Sequence, residues 1–200
     1  MNARLMFRTA VALLALSGFA FAVDKDPDAK TEKPAKSAKT PKPLAKLGEP
    51  APTFTLSDFN GKTFDLAAAK DKVVVLEWFN CDCPFCKMFC EDLKKTQASY
   101  AGKGVIWVAV DSTSFRKNDE NAKYAKEHKI EYPILSDFDG KVGHLYGATN
   151  TPHVFIINKG KLEYVGAFMD MSKKNNYTAA ALDDILAGKP VSKDKTKPFG

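Results

Sequence analysis

The run Val73-Val74-Val75-Leu76 is continuous, apolar and of strand length, and it leads within a few residues into a segment of helical character that begins near Pro84. A strand without polar alternation is expected to be buried on both faces. Such a strand needs cover on both sides, which restricts the chain to layered arrangements of helices on a sheet. The rest of the chain supplies that cover. Phe54 and Leu56, then Phe64 and Leu66, bracket the turn Asp58-Phe59-Asn60-Gly61, a hairpin signal. Residues 105–110 read as a second buried strand, 118–128 as a helix, and 141–146 as a shorter helix reached through Asp137-Phe138-Asp139-Gly140. Residues 153–158 and 161–168 read as strands joined at Asn158-Lys159-Gly160, and 177–186 as a closing helix stopped by Gly188. The expected fold class is α/β: a central mixed β-sheet flanked by helices on both faces, with an N-terminal β-hairpin and right-handed crossovers.

The flanks have a different character. Arg4 and Arg8 precede an apolar stretch over residues 9–21, and Ala20-Phe21-Ala22 fits a small-residue cleavage site. The stretch is too short to span a bilayer comfortably, and no cysteine follows the site to carry a lipid. Residues 1–22 are therefore expected to be a signal peptide. Its removal leaves a protein that begins near Val23, has no stable membrane insertion, and is periplasmic or secreted. Residues 23–46, rich in Lys, Pro and Ala, are expected to be a disordered linker, 47–188 the folded domain, and 189–200 a disordered tail. The formal charge of +6 belongs to these flanks: residues 48–188 hold 17 Lys or Arg against 19 Asp or Glu, a net −2. No aromatic residue falls between Asp24 and Leu47 to stack on bases, so no nucleic-acid partner is expected.

All four cysteines, Cys81, Cys83, Cys86 and Cys90, fall within ten residues. A disulfide framework would spread its cysteines to close long loops, so stapling does not explain the cluster. Cys83-Pro84-Phe85-Cys86 forms C-x-x-C between the buried strand and the helix. At that position unpaired backbone N–H groups and the helix dipole stabilise a thiolate. Cys83 is expected to be the exposed nucleophile. Cys86, one turn in, is expected to resolve the mixed disulfide. Structural zinc sites share C-x-x-C, but this chain has no second cysteine pair, and His128, His144 and His153 lack H-x3–5-H spacing.

The segment VVVLEWFNCDCPFCK, residues 73–87, resembles the active-site strand and helix start of the thioredoxin superfamily. GEPAPTFTLSDFNGKTFDL upstream resembles the opening hairpin of its redoxin branch, which includes peroxiredoxins and TlpA-type exported thioredoxins. TPHVFIINKGKLEYVGAF downstream resembles that branch's cis-proline strand and hairpin. The resemblance covers roughly residues 47–187 and implies a thioredoxin-like fold. It also implies a thiol–disulfide oxidoreductase needing no cofactor, with a protein or small-molecule disulfide as substrate and a redox donor or acceptor protein as partner. By the same resemblance Thr151-Pro152 faces the C-x-x-C with Pro152 in cis and presents the substrate chain, beside Pro84 and Phe85. Glu77 takes the place of the buried acid beneath the second cysteine, where a raised pKa lets it relay a proton. Trp78 matches a packing aromatic. A threonine before the cis-proline leans the reading towards a reductase or isomerase.

The chain departs from thioredoxin in having Pro84-Phe85 between the cysteines, the dipeptide that tunes redox poise. It also carries Cys81 and Cys90. These could form a second disulfide, act as auxiliary redox shuttles, or bind a soft metal such as Cu(I). Cys86-x-x-x-Cys90 is similar to the C-x-x-x-C of exported copper chaperones, with His144 or His153 as the possible histidine ligand, although no metal is assigned. Peroxide reduction is disfavoured. The Thr or Ser and the Pro that peroxiredoxins place before the attacking cysteine are Asn80 and Leu76 here, and Arg116, the one arginine of the domain, is no obvious counterpart of their charge-stabilising arginine.

Overall fold

The computed structural model describes residues 45–199. The expected signal peptide and most of the expected linker lie outside the described residues. A two-stranded antiparallel hairpin, β1 (Thr55–Ser57) and β2 (Thr63–Asp65), comes first, followed by a 3-10 turn at Ala67–Ala69. Then come β3 (Val73–Trp78), α1 (Pro84–Ala101), β4 (Val105–Asp111), α2 (Asn118–His128) and β5 (Ile134–Ser136). The remaining elements are α3 (Lys141–Tyr146), β6 (His153–Asn158), β7 (Lys161–Gly166) and α4 (Tyr177–Leu186).

Five strands form one mixed sheet in the order β5-β4-β3-β6-β7. β3 and β4 are parallel, as are β4 and β5, while β6 runs antiparallel to β3 and β7 antiparallel to β6. The apolar run therefore lies at the centre, with Val74, Val75 and Leu76 fully buried. Because successive strand residues point to opposite faces, β3 feeds two cores. Val75 joins α1, α2 and α4 through Phe89, Leu93, Tyr124, Ala125 and Leu182. Val74, Leu76 and Trp78 join the hairpin and α3 through Phe54, Leu66, Val142 and Tyr146. Helices thus cover both faces, as expected. The β6–β7 turn has Lys159 at φ 48° and Gly160 at φ 78°, the left-handed pair that a two-residue hairpin turn requires.

Two expectations differ from the structure. β5 has no counterpart in the sequence reading, because a three-residue strand after Pro133 is too short to show a period. The second is the stretch 189–200, expected to be a disordered tail. Residues up to 199 instead run back along β7, the edge strand of the sheet. Val165 N–H donates to the Asp194 carbonyl (3.0 Å) and Thr196 N–H to the Val165 carbonyl (3.1 Å). The Thr196 hydroxyl sits 2.6 Å from the Tyr164 hydroxyl and accepts from Ala167 N–H at 2.8 Å, while Tyr164 donates to the Ala167 carbonyl at 2.5 Å. Lys/Pro-rich composition hides this, because backbone pairing and one threonine do most to hold the segment, with Val191 packed on the core. The other end of β7 is covered by the chain around Pro50, through Gly48 N–H to the Leu162 carbonyl (2.7 Å) and Leu162 N–H to the Glu49 carbonyl (3.0 Å). An otherwise open sheet edge is thereby closed.

Gly166 sits under this segment: a Cβ added there would lie 2.1 Å from Thr196 Oγ1, at a φ of +157°. Gly166→Ala is expected to displace the segment, with faster amide exchange at Thr196 and Ala167 and a stability loss of about 1–3 kcal/mol. Unchanged exchange at those amides would contradict this packing.

Candidate active site

The junction between β3 and α1 builds the site. β3 ends at Trp78, and the chain turns through Asn80, whose side-chain oxygen accepts from Asp82 N–H (2.8 Å) and whose carbonyl accepts from Cys83 N–H (3.0 Å). This Asx turn sets Cys83 at the N-cap of α1 with extended backbone (φ −64°, ψ 122°) and Pro84 in the first helical turn. Arg116, almost fully buried, clamps the turn from the β4–α2 loop. It bonds Asp82 at 2.5 Å and Glu120 at 2.7 Å, and reaches Asn80 Oδ1 at 3.4 Å.

Cys83 is half-buried, and its sulfur lies 2.9 Å from the Thr151 carbonyl oxygen, to which only the protonated thiol can donate. The Thr151–Pro152 bond is cis, and the Cys83–Thr151 contact brings the cysteine turn and the proline loop together. Cys83 and Cys86 are electrostatically unlike. Hydrogen bonding from the Cys86 thiol, helped by the Thr151 side chain and the backbone N–H groups of Cys86 and Phe85, holds Cys83 down at about 5 against the cost of partial burial. At pH 7 that leaves roughly 99% thiolate, where an ordinary cysteine would have a few per cent at most. Cys86 is buried and is pushed far up, by its bond to Cys83, by burial, and by the charges of Glu77 and Cys83.

Glu77 is wholly buried on the central strand. Burial pushes it up to about 7, although Trp107 Nε1–H donates to Oε2 (2.9 Å) and the Tyr132 hydroxyl also bonds the carboxyl. Its other oxygen, Oε1, is buried without a protein partner. Trp107 and Tyr132 escaped the sequence reading because they lie far along the chain. β3–β4 pairing places Val75 opposite Trp107 and Glu77 opposite Ala109. Arg116 carries no local signal.

The remaining candidates separate. Pro84 is exposed and Phe85 half-buried beside the nucleophile. Trp78 packs on Phe155 and Tyr146 on the opposite face, its indole N–H donating to Ser112 Oγ (3.1 Å). Cys81 and Cys90 are both buried, and burial is the largest cause raising each thiol. Arg116 partly offsets the rise at Cys81, and the Tyr124 hydroxyl does so at Cys90. Burial thus favours the neutral thiol at both, which disfavours them as nucleophiles. All four cysteines are free thiols. His153 stacks on Phe155 (4.5 Å between centroids) and His144 is exposed on α3, both on the sheet face away from α1. Among the described residues no group of three or more His, Cys, Asp or Glu is placed to hold a metal.

The sequence model of the AhpC/TSA family matches residues 47–165. The chain is 26% identical over 156 residues to the thiol-disulfide oxidoreductase ResA of Bacillus thuringiensis subsp. konkukian, covering 78% of this chain and 83% of that protein. It is 31% identical over 140 residues to the thioredoxin-like protein YneN of Bacillus subtilis, covering 68% and 79%. A crystal structure of the hypothetical protein SMc02350 from Sinorhizobium meliloti superposes with a TM-score of 0.71 at 30% identity, covering 81% of this chain and 96% of that one. The fold is thioredoxin-like.

The buried carboxyl makes a stability test possible. Unfolded, Glu77 ionises near its ordinary 4.5; folded, it holds its proton to about 7. The folded state then carries the extra proton between those values, so stability falls as pH rises through that window and levels off above it. The full loss is about 3 kcal/mol. Glu77→Gln is expected to gain that amount on the wild type between pH 4.5 and pH 8 in urea melts. A difference that stays constant with pH would contradict the buried-acid assignment.

Proposed function

We propose that this chain, which belongs to the AhpC/TSA family and is a thiol–disulfide oxidoreductase, carries its chemistry at Cys83-Pro84-Phe85-Cys86. The observation that carries the reading is the placement of Cys83 at the α1 N-cap, with its sulfur 2.9 Å from the Thr151 carbonyl and Cys86 one helical turn in.

The Cys83 thiolate attacks one sulfur of a substrate disulfide. The substrate S–S bond breaks, a Cys83–substrate mixed disulfide forms, and the first substrate thiolate leaves. Thr151 and the backbone of the proline loop hold the substrate chain beside Cys83. Loss of the Cys83 negative charge removes one of the causes that keep Cys86 protonated, and the Glu77 carboxylate takes the Cys86 proton. Cys86 then attacks Cys83 Sγ, closing the Cys83–Cys86 disulfide and releasing the second substrate thiol. Two electrons pass to the substrate, and a partner redox protein must return them before the next cycle.

The threonine before the cis-proline is what supports the reductase or isomerase direction. A nucleophile held as thiolate stabilises the reduced site and by itself makes it a weaker reductant. The leader-like residues 1–22 support a periplasmic or secreted location. Among the described residues no helix is long and apolar enough to cross a membrane. Arg116 spends its charge on Asp82 and Glu120, and its field acts on Cys81. That gives no support to a peroxidase reading.

Cys83→Ala is expected to abolish disulfide exchange, and Cys86→Ala to accumulate mixed disulfides that mass spectrometry detects on Cys83. Alkylation of wild-type Cys83 by iodoacetamide is expected to reach half its plateau rate near pH 5. A midpoint near pH 8–9, or full exchange by Cys83→Ala, would sink the assignment.

A further inference from the structure

The segment after α4 does more than close the sheet edge. Beyond Thr196 it reaches the active-site end of the molecule. There Lys197, Pro198 and Phe199 line a recess of about 490 Å³ together with Phe85, Thr149 and Asn150. Phe85 is the residue between the two cysteines that precedes Cys86. Thr149 and Asn150 directly precede Thr151-Pro152. The recess therefore borders the cysteine turn through Phe85 and the proline loop through Asn150. Phe85, Pro198 and Phe199 give it apolar walls, and each is only partly buried, so apolar surface remains for a ligand to cover. The Thr196 hydroxyl, locked between Tyr164 and Ala167, fixes where the segment turns towards the site.

We infer that residues 195–199 are a substrate-selecting wall: with Phe85 and the Thr149-Asn150 loop they form a pocket for an apolar side chain flanking the cysteine of a polypeptide disulfide. The inference rests on the assignment of Cys83 as the attacking thiol. A substrate chain lying across Cys83 beside Thr151 runs past the mouth of this recess, so a neighbouring aromatic or branched side chain has a place to be buried. A small disulfide without such a side chain gains nothing from it. The selected class is thus an extended polypeptide with apolar residues next to its half-cystines, as an unfolded or misoxidised chain presents.

The test uses two synthetic disulfide peptides that carry either Phe or Gly beside each half-cystine. Wild type is expected to prefer the Phe peptide by about tenfold in kcat/KM, the scale at which an apolar pocket discriminates. Phe199→Ala, which lies beyond the Thr196 anchor, and a chain ending at Asp194 are both expected to bring that preference close to one. Circular dichroism melts show that the variants are folded. A wild-type preference near one, or a preference that survives in both variants, overturns the inference. So does faster turnover of both peptides by the shortened chain, because the segment would then be an obstruction. A wild type that exchanges neither peptide and whose Cys83 is inert to alkylation overturns the underlying site assignment instead.

Discussion

The Cys86 thiol, buried in the first turn of α1, donates to the Cys83 sulfur at the helix N-cap, and the chemistry of the domain depends on that one contact. It lowers the outer thiol and raises the inner one together, and the proposed division into nucleophile and resolving group rests on it. The contact exists only because Cys83 is at the N-cap and Cys86 three residues on. The turn at Asn80 sets that register, and Arg116 holds the turn from the neighbouring loop. The central strand supplies the third participant. Glu77 is wholly buried, so its charge and that of Cys86 cannot comfortably coexist. A proton shared between two such groups is cheap to move and costly to leave off both.

Much of this was legible in the sequence, and the boundary of legibility has physical causes. β3 and α1 declared themselves because a buried central strand and a helix start have strong local patterns. The C-x-x-C needed no tertiary information, and the proline loop was found through its resemblance to a known family. The partners of Glu77 were hidden, since Trp107 and Tyr132 reach it only through sheet register and the packing of a distant loop. Arg116 looked uninvolved because its role is to hold a turn and not to touch a thiol. β5 was missed for its length. Residues 189–199 were misread because polar composition suggests disorder, whereas an edge strand with unpaired backbone groups can order such a segment through hydrogen bonds.

Cys81 and Cys90, which composition made as prominent as the C-x-x-C, are set apart by environment. Both lie in packed surroundings that favour the neutral thiol. Neither has a helix N-terminus or a thiol donor beside it comparable with that of Cys83. His144 and His153, the two histidines weighed as ligands, lie on the other face of the sheet, whereas His128 is on the same side, stacked on Tyr124. Clustering in sequence therefore does not give the four cysteines one environment, and we propose that the helix start selects one pair.

That selection is the central claim, and disulfide mapping across a series of glutathione redox buffers tests it most directly. One two-electron couple is expected, with Cys83–Cys86 as the disulfide recovered by mass spectrometry and with Cys81 and Cys90 still free thiols throughout its transition. Recovery of a disulfide containing Cys81 or Cys90 while Cys83 remains a free thiol would contradict the account.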